Sequence, residues 1–282
     1  MNPDLSLRLV AAVEKMPAFP QSVQAILDLT RDVNCTPKQL VQVIDKDPVV
    51  TLKLLKVVNS AYYSLPHQIT SINHAVVFLG FNTIKNLALG IAAIGVLPKS
   101  NIAGFDIQEY LLHSLATANI AKRLADRYGQ ADPMDCFIAG LLHDFGKIVF
   151  AQFMPKEFQE ALEMSLQSGG SLHEALRWTI GADHVLVGGM LIEKWRFAPH
   201  LVETIRNMHG KDLKDTAMIT YVYAANQIAK KLSFGFAGNL HVEELRPAMT
   251  RRLGGDLDHV IRQLGDLQAL LKEAKAFSEI HS

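Results

Sequence analysis

Three helix starts of one kind, Thr36-Pro37, Asp47-Pro48 and Asp132-Pro133, constrain this chain more than any other feature. A side-chain oxygen accepts from the orphan amides of a first helical turn, and proline, lacking an N–H, fits the position that follows. Apolar residues then recur at helical spacing: Leu40, Val43 and Ile44 behind the first start, Leu52, Leu55 and Val58 behind the second. The same reading gives helices over Leu5 to Lys15, over the stripe Val23, Ile26, Leu27 and Thr30, and from Ser71 to a stop at Gly80. A polar turn with Ser64, Leu65 and Pro66 precedes the last of these, and Asn82 opens a helix ending at Pro98. In the second half, Asp106 with Glu109 and Ser171 with Glu174 read as capping boxes, the first opening a helix to about Tyr128. Asp132-Pro133 leads to His143, Ile148 to Phe153 continues past Gly146, and Pro155 restarts the chain. Asp183 precedes a helix with His184, Pro199 opens one carrying His209, and Ala217 to Lys231 is long and amphipathic. Val242 to Arg252 and Leu257 to Phe277 complete the set. No alternating strand pattern of useful length and no fixed-period repeat appear, so the fold class is all-α.

Lys99-Ser100-Asn101 with Gly104 is the one good boundary in the middle, which divides the chain into 1–104, 105–232 and a helical tail, 233–282. With 282 residues, 49% hydrophobic and 20% charged, the composition is that of a globular chain with a sizeable core. Lys+Arg and Asp+Glu balance at 28 each, so nothing advertises nucleic acid or an anionic membrane. Cys35 and Cys136 make no disulfide framework and fit a reducing cytosol. Asp4, Arg8 and Glu14 interrupt any signal-peptide core, and the apolar run Leu87 to Leu97 falls short of the ~20 residues of a spanning helix. The expected place is therefore the cytoplasm.

The chemistry gathers at Ala139-Gly140-Leu141-Leu142-His143-Asp144-Phe145-Gly146-Lys147. Imidazole nitrogen beside carboxylate oxygen suits iron, zinc or manganese, and flanking glycines let the backbone crowd a ligand. Glu109 and His113 upstream, His184 and His209 downstream, add ligand-type residues on segments that read as helix. The plain alternatives are local: Glu109 completing its capping box, Asp144 capping the next helix, His209 meeting a helix C-terminus, Lys147 as a solvated charge. Met208 reads as core.

These words resemble a known family. Met16-Pro17-Ala18-Phe19-Pro20, Asp47-Pro48, Leu54 to Tyr63 and Ile69 to Gly80 are similar to the N-terminal part of the HDOD family. His113-Ser114-Leu115, Ala139 to Lys147, Gly181-Ala182-Asp183-His184 and Val187-Gly188 follow in the family's order. The resemblance implies an HD-type helical bundle with a helical N-terminal extension, in a bacterial regulatory protein of the kind found beside signalling domains. It aligns His113 and His143-Asp144 with the metal ligands of the HD superfamily of phosphohydrolases, and His184 with an intermediate histidine of the HD-GYP relatives. His209 falls where those relatives carry a His-His pair, its neighbour here being Met208. Asn226 falls where a distal aspartate is expected, Glu109 where some relatives hold an extra metal, and Lys147 on the lysine of the motif, which would meet a phosphate oxygen. The Gly-Tyr-Pro word is missing, which argues against cyclic-dinucleotide hydrolysis. His67, His74, His173, His200, His241, His259 and His281 match no ligand position.

An amide at 226 and a thioether at 208 in place of a carboxylate and an imidazole weaken the site. The expected function is a signalling module with an HD-type core binding a divalent transition metal (iron first, zinc or manganese next). Catalytic roles for Asp144 and Lys147 in a metal-dependent phosphohydrolase are the alternative. A protein partner and a phosphate-containing small ligand are the expected company. The N-terminal half is expected to pack on the metal half and to present the partner surface.

Overall fold

The structure, a computed structural model, describes residues 3–29, 34–60, 63, 65, 67–210 and 215–278. Readings placed on Thr30, Ala61, Tyr62, Ser64, Pro66 and His281 fall outside those residues. The described residues are helical and contain no strand. In order they form α1 (Pro3–Lys15), α2 (Gln21–Leu29), α3 (Pro37–Asp45), α4 (Pro48–Val58), α5 (Ile72–Leu79) and α6 (Phe81–Gly95). Then come α7 (Ile107–Tyr128), α8 (Pro133–Leu142), α9 (Phe145–Phe153), α10 (Pro155–Ser168), α11 (Leu172–Thr179) and α12 (His184–Lys194). The chain continues through α13 (Pro199–Arg206), α14 (Ala217–Lys231), α15 (Pro247–Leu253), α16 (Leu257–Leu264) and α17 (Leu267–Ser278).

The three oxygen-proline starts work as the chemistry dictates. Thr36 and Gln39 form a reciprocal capping box, and Asp47 accepts from Val49 and Val50 amides at 3.0 and 3.1 Å. Asp132 does the same for Met134 and Asp135, both at 2.9 Å. Ser171 does not: it makes no capping bond, because its hydroxyl turns to His173 Nδ1 at 2.5 Å. Asn82 lies inside α6 rather than before it, since Gly80 at φ 83° both ends α5 and opens α6. Residues 242–246 are not helical, and the last expected helix breaks into α16 and α17 at Gly265 (φ 76°).

One continuous apolar core runs from Leu9 to Ala274. α6 packs on α8, and α1 packs on α9 and α12. Lys194 binds the C-terminal carbonyls of α1, donating to Val13 O at 3.0 Å and Glu14 O at 2.7 Å. Beside it Trp195 Nε1 donates to Pro17 O at 3.0 Å, and its ring stacks on Phe19 with centroids 4.5 Å apart. The Phe-Pro stretch after α1 is thereby pinned to the half that carries the doublet. The stretch Pro133–Phe153, α8 with α9, is long and apolar enough to cross a membrane by length and composition. Asp144 and Lys147 interrupt its apolar run. Its most apolar window is 89% buried inside the bundle, as the central layer of the core.

Candidate metal centre

Five helices converge on the doublet. His113 lies along α7, His143 at the end of α8, Asp144 just before α9, His184 at the start of α12 and Asn226 on α14. Two glycines permit the approach. A Cβ at Gly140 would lie 2.7 Å from Ala118 Cα, so α8 meets α7 at this distance only because the side chain is hydrogen. A Cβ at Gly146 would overlap His184 O, so α9 and α12 touch backbone to backbone and His184 comes beside Asp144.

Asp144 holds the N-cap position of α9 but makes no capping bond. Its oxygens turn inward, to two different sides. Oδ2 lies 3.2 Å from His143 Nε2, 4.0 Å from His113 Nε2 and 2.6 Å from Lys147 Nζ. Oδ1 lies 3.1 Å from His184 Nε2, yet out of line, so it has no hydrogen-bond partner. His143 Nδ1 donates to Gly140 O at 2.7 Å, which in the neutral ring leaves Nε2 as a bare lone pair. That nitrogen is buried, has no hydrogen bond, and faces a carboxylate. His113 Nε2 and Asn226 Oδ1 meet at 3.1 Å on the same side. One donor atom each from His113, His143 and Asp144 falls within 4.8 Å of the others.

Protonation states suit ligation. Burial, then the neighbouring His143, pushes His113 down to about 3. Burial, then Lys147, pushes His184 down to about 4. Burial would raise Asp144, but His143 and Lys147 outweigh it and hold the carboxyl well below its usual range. At neutral pH His113 and His184 are therefore neutral imidazoles beside an ionised Asp144, the forms a metal ion takes.

Lys147 is not the solvated charge its sequence context suggests. It is 2% exposed, with Nζ donating to Asp144 Oδ2 and, at 2.8 Å, to Ala237 O. An ammonium is held in the core where a carboxylate and a carbonyl meet it. Phe236 N donates to Glu109 O at 3.1 Å, so the segment after α14 straps the site from outside. Glu109 itself stays out: its side chain is exposed on the first turn of α7, where Asp106 Oδ1 takes its amide at 3.0 Å. Met208 is fully buried core.

His209 also stands apart from the doublet. Its ring is 5.4 Å from that of His184 but stacks on His173 at 4.3 Å. His209 Nδ1 lies 3.8 Å and His173 Nδ1 3.6 Å from the Glu243 oxygens, a second group of ligand-type atoms. Burial first, and His209 second, push His173 down to about 3. His173 and Glu243 were missed because neither lies at a motif position and 70 residues separate them. The failed cap at Ser171 is visible only once His173 is seen beside it.

A family model described as HDOD domain matches residues 16–211. A protein of Treponema pallidum (strain Nichols), uncharacterized, is 27% identical over 209 residues, 72% of this chain. The aligned region spans 40% of that relative's length. Among solved structures, an HDOD domain protein of unknown function from Geobacter sulfurreducens superposes with TM-score 0.80 at 25% identity, covering 98% of this chain and 99% of its own. A protein from Shewanella amazonensis SB2B, provisionally named a phosphohydrolase, gives 0.77 at 23% identity with 98% of each chain covered. A protein of Marinobacter aquaeolei VT8, provisionally named for signal transduction, gives 0.79 at 22% identity, over 98% of this chain and 65% of that one.

Proposed function

The chain belongs to the HDOD domain family, and on that premise we propose that it is a regulatory module built on a closed HD-type metal centre, without efficient catalysis. The observation that carries this reading is His143 Nε2, buried without a hydrogen bond 3.2 Å from a carboxylate oxygen, with His113 Nε2 4.0 Å from that same oxygen. An imidazole and a carboxylate held this close are a place for a cation, and Lys147, which donates to Asp144 Oδ2 and Ala237 O, leaves the His143 nitrogen without a partner. His113, His143 and Asp144 would hold a divalent transition ion, with the Asn226 amide oxygen and His184 on either side. Mixed nitrogen and oxygen donors favour iron, then zinc or manganese. Such an ion, when bound, lowers the pKa of its water.

The rest of the site argues for a module. His113, His143, Asp144, Lys147, His184 and Asn226 are each no more than 3% exposed, so a substrate has no open route to them. The strap is tied down through Phe236 to Glu109 and through Ala237 to Lys147, and Asn226, an amide, serves as no base. The alternative is a metal-dependent phosphohydrolase acting on a phosphate ester or nucleotide. The ammonium of Lys147 beside the doublet favours it, as does the name given to the Shewanella relative. Regulation needs a partner, and the N-terminal half exposes Val49 and Leu52 on α4 and Val77 and Phe78 on the adjoining α5. We assign the partner surface, for a cytoplasmic protein, to that face.

The test is a metal count and an activity assay on protein purified without chelator. We expect bound transition metal that His143→Ala loses, and no hydrolysis of a generic phosphodiester above background. Asn226→Asp should raise occupancy, because a carboxylate offers full charge where an amide offers a dipole, and Asp144→Ala in that background should abolish the gain. Turnover by the unaltered chain would decide for the hydrolase.

A further inference from the structure

We propose that His173, His209 and Glu243 form a second site, reached from solvent, for a zinc-class divalent ion. One donor atom from each lies within 4.8 Å of the others, and both imidazole Nδ1 atoms address the Glu243 carboxylate, at 3.6 and 3.8 Å. Metal bonds of about 2.0–2.2 Å set tetrahedral donors roughly 3.3–3.6 Å apart, so small side-chain turns complete the geometry. His209 Nδ1 is buried without a hydrogen bond, an orphan atom on the carboxylate side.

Outer contacts hold the set in place. Tyr223 Oη donates to Glu243 Oε2 at 2.9 Å, and Glu243 N donates to Gln227 Oε1 at 2.8 Å. Arg246 lies over the Tyr223 ring at 4.7 Å and pairs with Asp215 at 2.5 Å. Partners of this kind orient ligands and tune affinity. A cavity of about 280 Å³ opens on the three, with Arg246 and His241 on its wall. Three protein donors with an open fourth position make an exchangeable site, whose fourth ligand is water or a small anion.

The same atoms do not make a serine–histidine–carboxylate relay. Ser171 Oγ at 2.5 Å and Glu243 Oε1 at 3.6 Å both address Nδ1 of His173, whereas a relay needs its two partners on opposite ring nitrogens. Ser171 is instead the group that swings aside when the ion enters.

Cobalt(II), a visible-absorbing stand-in for zinc, tests this on the full chain. His173→Ala and the isosteric Glu243→Gln should each lose one bound cobalt and its visible bands, while His143→Ala keeps that signal. Tyr223→Phe should weaken binding on the order of tenfold, and Ser171→Ala should leave it equal or tighter. His173 is partly exposed, so its truncation should leave the fold intact, which far-UV circular dichroism checks. Should His173→Ala unfold, Glu243→Gln decides alone. Cobalt stoichiometry and spectrum unchanged in the folded variants would overturn the proposal, and so would loss of the whole signal in His143→Ala.

Discussion

The doublet and the His173–His209–Glu243 group carry nearly the same donors and differ in their walls. Around Asp144 every polar group is sealed by helices and by the strap, and charge is answered only from within, by Lys147. Around Glu243 the carboxylate is 22% exposed and a cavity reaches it. The difference teaches that donor identity alone does not set what a site does. Burial lowers imidazoles in both groups, but only the open one presents its carboxylate to solvent.

The comparison breaks most visibly in stability. Asp144→Ala leaves Lys147 buried without its carboxylate, and should cost about 3–5 kcal/mol in urea unfolding. Glu243→Gln, which keeps an acceptor for Tyr223, should cost about 1 kcal/mol. Equal losses would mean that the two walls do not differ as described. Gly146→Ala should come next, about 1–3 kcal/mol, because its methyl meets His184 O and forces α9 from α12. The same denaturation curves report it.

The pH dependence sharpens the contrast further. His113 and His184 titrate in the folded chain at about 3 and about 4, below the ordinary 6.5, so the unfolded chain binds protons that the folded chain refuses. Their contribution is complete above about pH 6.5 and falls as pH drops through that value toward 4 and 3. Asp144 adds a loss of the same sign below its ordinary 3.8. Urea midpoints of chelator-treated protein from pH 7.5 to 4.5 should fall steadily, and His184→Gln should flatten the slope. The smallest effect belongs to Glu109→Ala: stability within about 0.5 kcal/mol and metal content unchanged, since its side chain faces solvent. A drop in metal content there would return Glu109 to the ligand set.

What was legible in the sequence was local. Caps at Thr36, Asp47 and Asp132 need only their own first turn, and they form as read. The all-α class follows from many such starts, and the HD-type bundle was what the resemblance to the HDOD family implied. The doublet was legible as a word, but the capping alternative for Asp144 could be dismissed only by seeing its oxygens turned inward. Lys147 could not be read as buried, because its second partner, Ala237 O, comes from 90 residues away. Ser171 failed as a cap for a tertiary reason, the imidazole of His173. Gly265 splits a stripe whose periodicity carries straight through, since a single left-handed residue leaves hydrophobic spacing untouched.

The strap over Lys147 matters for time as well as for shape. Residues 233–239 are tied across the doublet by Phe236 N to Glu109 O and by Ala237 O to Lys147, so an ion held there, as proposed, would exchange at the pace of that segment's local opening.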